Sequence, residues 1–293
     1  MRCWEISLRI SVLESKLLSH NNLMKIAAAY ITSCINNISN NIEATKNMVL
    51  ELEKQAVDFV LFPELSISGY IKSAENLNYF YKQQEKIITE LKTLSNRVRC
   101  AFSVGFPQLV NGKNYIAQAI FYQGNIITTH LKTHLGPTEQ NTYQSGNKLE
   151  VISLKNQKIG TQICFESHFP EIAFAQAQKG ATILAVPFAS PHETVQEKTE
   201  RFKKYLCSRA YDNSVYVISC NLAGFNENNN PLSGLALIIN PKGDTIATAT
   251  TPNGGYCIAE IDEQLQEHIY GSKMAHFNQH RRIDFMQKIY KDL

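Results

Sequence analysis

The chain has 293 residues, 44% of them hydrophobic, 10% aromatic and 19% charged, a balance that fills a sizeable core and excludes a largely disordered protein. Its formal net charge is only +3 and its lysines and arginines are scattered, which excludes the basic stripe of a nucleic-acid binder. The seven cysteines (Cys3, Cys34, Cys100, Cys164, Cys207, Cys220, Cys257) make no CxxC and no Cys/His pair at zinc spacing, so a reducing, cytoplasmic setting without a metal is expected. No run approaches the ~20 apolar residues that span a bilayer, so no membrane role is expected. The stretch from Met1 to Met24 is interrupted by Glu5, Arg9, Glu14 and Lys16 and does not read as a signal peptide. Residues 1–23 therefore read as an extension, either a short amphipathic segment or sequence upstream of a start at Met24, and residues 24–293 as a single domain.

In chain order, KIAAAYI (25–31) reads as a buried strand and residues 41–55 carry apolar side chains at helical spacing. VDFVLF (57–62) is a second strand that stops at Pro63, and a helix is expected across 77–97. AFSVGF, YIAQAIFY and NIITTHLK, with Gly112 and Gly124 between them, read as consecutive antiparallel strands. LEVISL and KIGTQICF form a hairpin, followed by a helix over 170–179, the strand TILAVPF and a longer helix over 195–212. VYVISCN, LALIINP, TIATAT and YCIAEI complete an α/β pattern with no linker, low-complexity tract or repeat.

Three strands run out into a reactive side chain: VLFPEL into Glu64, ITTHLKTHL into Lys132, and GTQICFESHFPE into Cys164. The carboxyl ends of strands are where α/β proteins collect catalytic groups, and a carboxylate, an ammonium and a thiol there would supply a base, an electrostatic partner and a nucleophile. Each has a plainer reading taken alone. A buried cysteine is usually inert, Pro-Glu after a strand often opens a helix, and a lysine is usually a solvated charge. His130, His134 and His168 lie close by, but a four-residue separation along a strand does not bring His130 and His134 onto one metal ion.

The joint occurrence of these segments resembles the nitrilase (carbon-nitrogen hydrolase) superfamily from Met24 to about Asp262. FPELSISGY (62–70) is similar to its glutamate block, HLKTHL (130–135) to its lysine block and GTQICFESHFPE (160–171) to its nucleophile block. KGATILAVP (179–187), SRAYDNSVYVISCN (208–221) with Gly224, and NPKGD (240–244) match further landmarks in order. The resemblance implies an α/β fold, a four-layer α-β-β-α sandwich of the nitrilase type. It implies Glu64 as general base, Lys132 as the cation on the oxyanion and Cys164 as nucleophile, with the backbone N–H of Phe165 as a second oxyanion donor and Glu139 as a second glutamate beside the lysine. Tyr70, His168 and Phe188 are further pocket candidates. One departure is SGLALIINP, where Ala236 stands at a position usually occupied by serine, and the polar stretch 224–232 is expected to be a mobile loop near the site.

Among the activities that the resemblance implies, hydrolysis of a small linear amide ranks first and N-carbamoyl amine or amino acid hydrolysis second. Nitrile hydrolysis ranks third, because Phe165 stands where many nitrile-acting members carry tryptophan. A binding protein on the same fold has no physical need for the three reactive groups, and a thiol peptidase would need a Cys-His pair that these blocks do not offer. The expected partners are a small-molecule substrate and a second copy of the chain, paired through the helices at 170–179 and 195–212, with no cofactor and no nucleic acid.

Overall fold

The computed structural model describes residues 23–292, in which the apolar runs become two sheets. The first holds β1 (Lys25–Ser33), β2 (Phe59–Leu61), β3 (Ala101–Val110), β4 (Lys113–Tyr122), β5 (Asn125–Leu131), β10 (Ala223–Phe225), β11 (Pro231–Leu232) and β14 (Gly254–Glu260). Their order is β11-β10-β1-β2-β3-β4-β5, with β14 also paired to β1. The second holds β6 (Val151–Leu154), β7 (Gln157–Thr161), β8 (Ile183–Phe188), β9 (Tyr216–Asn221), β12 (Leu235–Ile239) and β13 (Thr245–Ala249), in the order β13-β12-β9-β8-β7-β6. The central strands of both sheets are parallel, which explains why they read as continuous apolar runs rather than alternating ones.

Side-chain alternation sends these runs into three cores. Ile26, Ala28, Tyr30, Phe59 and Leu61 meet Ile183, Ala185, Tyr216, Ile218 and Ile238 between the sheets. The other face of the first sheet, with Ala27, Ala29 and Val60, packs under α1 (Ile38–Lys54), α2 (Ala74–Tyr81) and α3 (Gln84–Ser95). Leu184, Val186 and Phe188 of the second sheet face Phe202, Leu206 and Ala210 of α5 (Val195–Asn213), beside α4 (Pro170–Gln178). The layers therefore run α-β-β-α, as the resemblance implies.

Two local expectations are corrected. The helix expected across 77–97 is two helices, α2 and α3, parted where the Gln83 N–H bonds back to the Phe80 carbonyl at 2.9 Å. Phe80 and Ile87 lie seven residues apart and are both buried, so the apolar stripe stays in phase and the periodicity hides the break. The stretch 224–232, expected as a loop, holds a short hairpin of β10 and β11: Asn226 Oδ1 accepts from the backbone N–H of Asn228 and of Asn230. Its asparagines are turn chemistry. Beyond the matched blocks the chain adds α6 (Glu263–Gly271) and α7 (Ile283–Lys291). The expected extension, apart from Leu23, lies outside the described residues.

Candidate active site

Glu64 follows β2 by three residues. The ladder continues through Phe62, whose N–H donates to Ser103 at 2.8 Å, while the buried Gln118 amide of β4 donates to the Phe62 carbonyl at 2.9 Å. Gly105 of β3 lets this segment lie close, since a Cβ there would sit 2.3 Å from the Leu65 nitrogen and 2.9 Å from the Glu64 carbonyl carbon. Lys132 follows β5 directly, its N–H held by Ile116 at 2.9 Å. Both side chains are fully buried, and Lys132 Nζ lies 2.7 Å from Glu64 Oε1 and 2.8 Å from Glu139. Glu139 is fixed in turn by the Gly136 N–H at 2.7 Å and by the Tyr70 hydroxyl at 2.8 Å.

Cys164 opens a 3-10 turn (Cys164–His168) just past β7, with φ at 49°. A left-handed cysteine is uncommon and is held by its neighbours. The Ser167 hydroxyl donates to the Cys164 carbonyl at 2.6 Å, and the thiol lies close enough to Glu64 and Lys132 to feel both charges. The second Glu64 oxygen accepts from the Ala189 N–H at 3.0 Å, just past the end of β8. The carboxylate thus stands between the ammonium, the thiol and a backbone donor.

Burial and charge work against each other in this cluster. Burial raises the pKa of Glu64, and Lys132 only partly offsets it. Burial disfavours the Lys132 ammonium, but Glu64, Cys164 and Glu139 together hold its pKa above the ordinary lysine value. The Cys164 thiol is pushed up by burial and then by Glu64, and the neighbouring Lys132 does not reverse this. A resting thiolate, expected if the ammonium dominated, is therefore disfavoured. The proton has a nearby acceptor in Glu64, so it can move as the sulfur attacks.

The remaining candidates fall in different places. Tyr70 reaches the cluster through Glu139. Phe165 sits in the first turn after Cys164, where its N–H has no acceptor within the turn. His168 is exposed and packs on Phe165 and Tyr205. Phe188 turns to the helix layer, where its ring lies tilted against Phe202 with centroids 4.1 Å apart, in a cluster that Cys164 also packs against. His134 stacks on Phe169, and His130 is bound to the buried carboxylate of Glu166 at 2.8 Å. Sequence reasoning passed over Ala189, Gln118 and Glu166. Ala189 and Gln118 carry no side-chain signal for chemistry, whereas Glu166 lies inside the nucleophile block and could have been flagged as a carboxylate two residues from the thiol.

The fold and site together define an α-β-β-α sandwich with a thiol, an ammonium and two carboxylates gathered where strands of both sheets end. A family model described as carbon-nitrogen hydrolase matches residues 25–270. An N-carbamoylputrescine amidase of Solanum lycopersicum is 24% identical over 262 residues, covering 83% of this chain and 87% of that protein. An omega-amidase of Saccharomyces cerevisiae is 28% identical over 274 residues, covering 86% of this chain and 91% of that protein. The crystal structure of an amidase from Nesterenkonia sp. superposes with a TM-score of 0.79 at 19% identity, covering 90% of this chain and 95% of that one. The chain belongs to the carbon-nitrogen hydrolase family, within the nitrilase superfamily, and is a hydrolase of C–N bonds other than peptide bonds.

Proposed function

We propose that the chain hydrolyses a small linear amide to ammonia and a carboxylate through a thioester on Cys164. The observation that carries this reading is the buried Lys132 ammonium bonded to both Glu64 and Glu139, with the Cys164 thiol beside them, within the field of both Glu64 and Lys132. In the first step the Cys164 proton passes to Glu64 while sulfur bonds to the amide carbon. The electron pair displaced onto oxygen is met by Lys132 and the Phe165 N–H, a kind of donor worth about 3 kcal/mol each in the transition state. Glu64 then gives its proton to the departing nitrogen as the C–N bond breaks. Water, deprotonated by Glu64, attacks the thioester carbon, and the proton returns to sulfur as the carboxylate leaves. Glu139 orients Lys132, and no cofactor is needed for any of these steps.

The amidase names of the relatives and of the structural neighbour support the bond type. N-carbamoyl hydrolysis is the second reading, supported by the several plant relatives named N-carbamoylputrescine amidase. The free state of Cys34, Cys100, Cys164, Cys207, Cys220 and Cys257 supports a cytoplasmic setting, and no helix among the described residues is long and apolar enough to cross a membrane. The test is a panel of short amides, N-carbamoyl amines and nitriles, followed by ammonia release and by mass spectrometry of the Cys164 peptide. An acyl adduct on Cys164 with a linear amide is expected. Release of ammonia with no adduct on Cys164 under acid quench at saturating substrate, or turnover of the nitriles alone, overturns the reading.

A further inference from the structure

Outside the groups used above, the carboxylate with the most donors around it is Glu166, which is fully buried. One oxygen accepts from both the backbone N–H and the hydroxyl of Thr133 at 2.6 Å. The other accepts from the Ile163 N–H, and His130 Nε2 lies 2.8 and 3.0 Å from the two oxygens. These donors belong to two different sheets. His130 and Thr133 bracket Lys132 at the end of β5, while Ile163 immediately precedes Cys164 after β7.

One side chain therefore ties the segment carrying the ammonium to the segment carrying the thiol. It also grips the residue before the left-handed Cys164, while Ser167 holds the carbonyl after it. The group is not placed to act as an acid in the reaction: although burial alone would raise its pKa, His130 and the Thr133 donors bring it below the ordinary carboxylate value. An ionised carboxylate fits this duty because it offers two acceptor oxygens and no donor. A glutamine of the same shape would turn an NH₂ group toward either the Thr133 or the Ile163 N–H and break one end of the tie.

We propose that Glu166, backed by His130, is a positioning residue for the hydrolysis, locking the Cys164 turn to the Lys132 strand end so that sulfur, ammonium and Glu64 keep one spacing. The proposal rests on the amide-hydrolase reading for its kinetic arm but not for its chemical one. The kinetic arm compares Glu166→Gln, Thr133→Val, His130→Gln and His130→Leu with the parent on the best amide substrate. The chemical arm measures iodoacetamide labelling of Cys164 by mass spectrometry, on full-length protein whose folded fraction is known from circular dichroism.

A misplacement on the order of 1 Å at a reacting centre costs about 100-fold in rate, so Glu166→Gln is expected to lose kcat on that scale while KM stays within about threefold. Labelling of Cys164 in the folded fraction should slow as well. Thr133→Val, which keeps its N–H and loses only the hydroxyl bond, should lose about fivefold in kcat, on the scale of one hydrogen bond. His130→Gln, which still offers an N–H, should recover much of the rate that His130→Leu loses. A Glu166→Gln enzyme within about threefold of the parent kcat overturns the proposal, as does a loss that tracks the unfolded fraction while labelling of folded protein is unchanged. If Glu166→Gln does not fold, equal rates for the two His130 variants together with a parental rate for Thr133→Val overturn it. If the parent turns over no amide, the functional reading fails, and the labelling comparison still decides the role of Glu166.

Discussion

Lys132 is enclosed by two carboxylates and a thiol, and these three hold its charge against the cost of burial. In Lys132→Met the carboxylates lose their counter-charge, and Glu64, whose pKa burial already raises, can take up a proton and so lessen the buried negative charge. The variant is expected to remain cooperatively folded and to lose at least about 1,000-fold in kcat/KM, read by ammonia release and a thermal melt. The pH dependence follows from Glu64. Its pKa is raised, the basic form is the one that takes the thiol proton, and that form is lost as pH falls through the raised pKa. The acid limb of kcat/KM should therefore have its midpoint above 4.5, the ordinary glutamate value, and a midpoint at or below it would refute Glu64 as the base. Glu166 has the opposite sign. Its depressed pKa contributes stability above the unfolded-state value that is lost on acidification, so the melting deficit of Glu166→Gln should be largest near neutrality and shrink below pH ~4. Glu64, Lys132 and Cys164 stood out in the sequence as reactive side chains at strand ends, and the family resemblance, which alone added Glu139, set them apart from their plainer readings. Ala189 acts through its backbone and leaves no side-chain signal, whereas Glu166 could be flagged from its place beside the thiol but its partners on the Lys132 segment could not.

The elements deliver these residues through close backbone approaches as much as through strand length. β3 passes under the Glu64 segment at Gly105, and a methyl group there would meet backbone on the neighbouring segment, with Gln118 Oε1 at 2.7 Å on the other side. Gly105→Ala is expected to cost about 3 kcal/mol in urea melts and to depress activity in whatever protein folds, because the backbone that must yield carries Glu64. Gly146 makes a similar approach: a Cβ there would sit 2.3 Å from the Leu131 carbonyl oxygen, just before Lys132. Such contacts join residues far apart in the chain, and periodicity does not register them. The strands themselves were readable as apolar runs, since parallel strands covered on both faces need no alternation. The division between α2 and α3 was not, because a tightened turn that keeps the buried stripe in phase leaves no mark on composition.

At the scale of the whole molecule, α7 presents Ile283, Phe285 and Met286 at 43%, 51% and 42% exposure, and α4 lies beside it through a bond from the Tyr290 hydroxyl to Glu171. Exposed apolar side chains of this kind fit the pairing of two copies that we propose along α4 and α5. Gel filtration is expected to give at least twice the monomer mass, and Phe285→Glu with Met286→Glu should shift the population toward monomer; elution of the parent at the monomer volume counts against pairing. The four-layer stacking also divides the chemistry. Glu64 and Lys132 ride on one sheet, Cys164 and the Ala189 N–H on the other, and the layer between them is largely apolar packing, bridged by a few directional bonds such as Ala189 to Glu64, Cys220 to Leu61 and the Glu166 tie. A small lateral slip of one sheet over the other would break these few bonds and part the sulfur from Glu64. Turnover should vanish in dilute urea while the circular dichroism is still native, making ammonia release an early gauge of how firmly the two halves of the sandwich are seated.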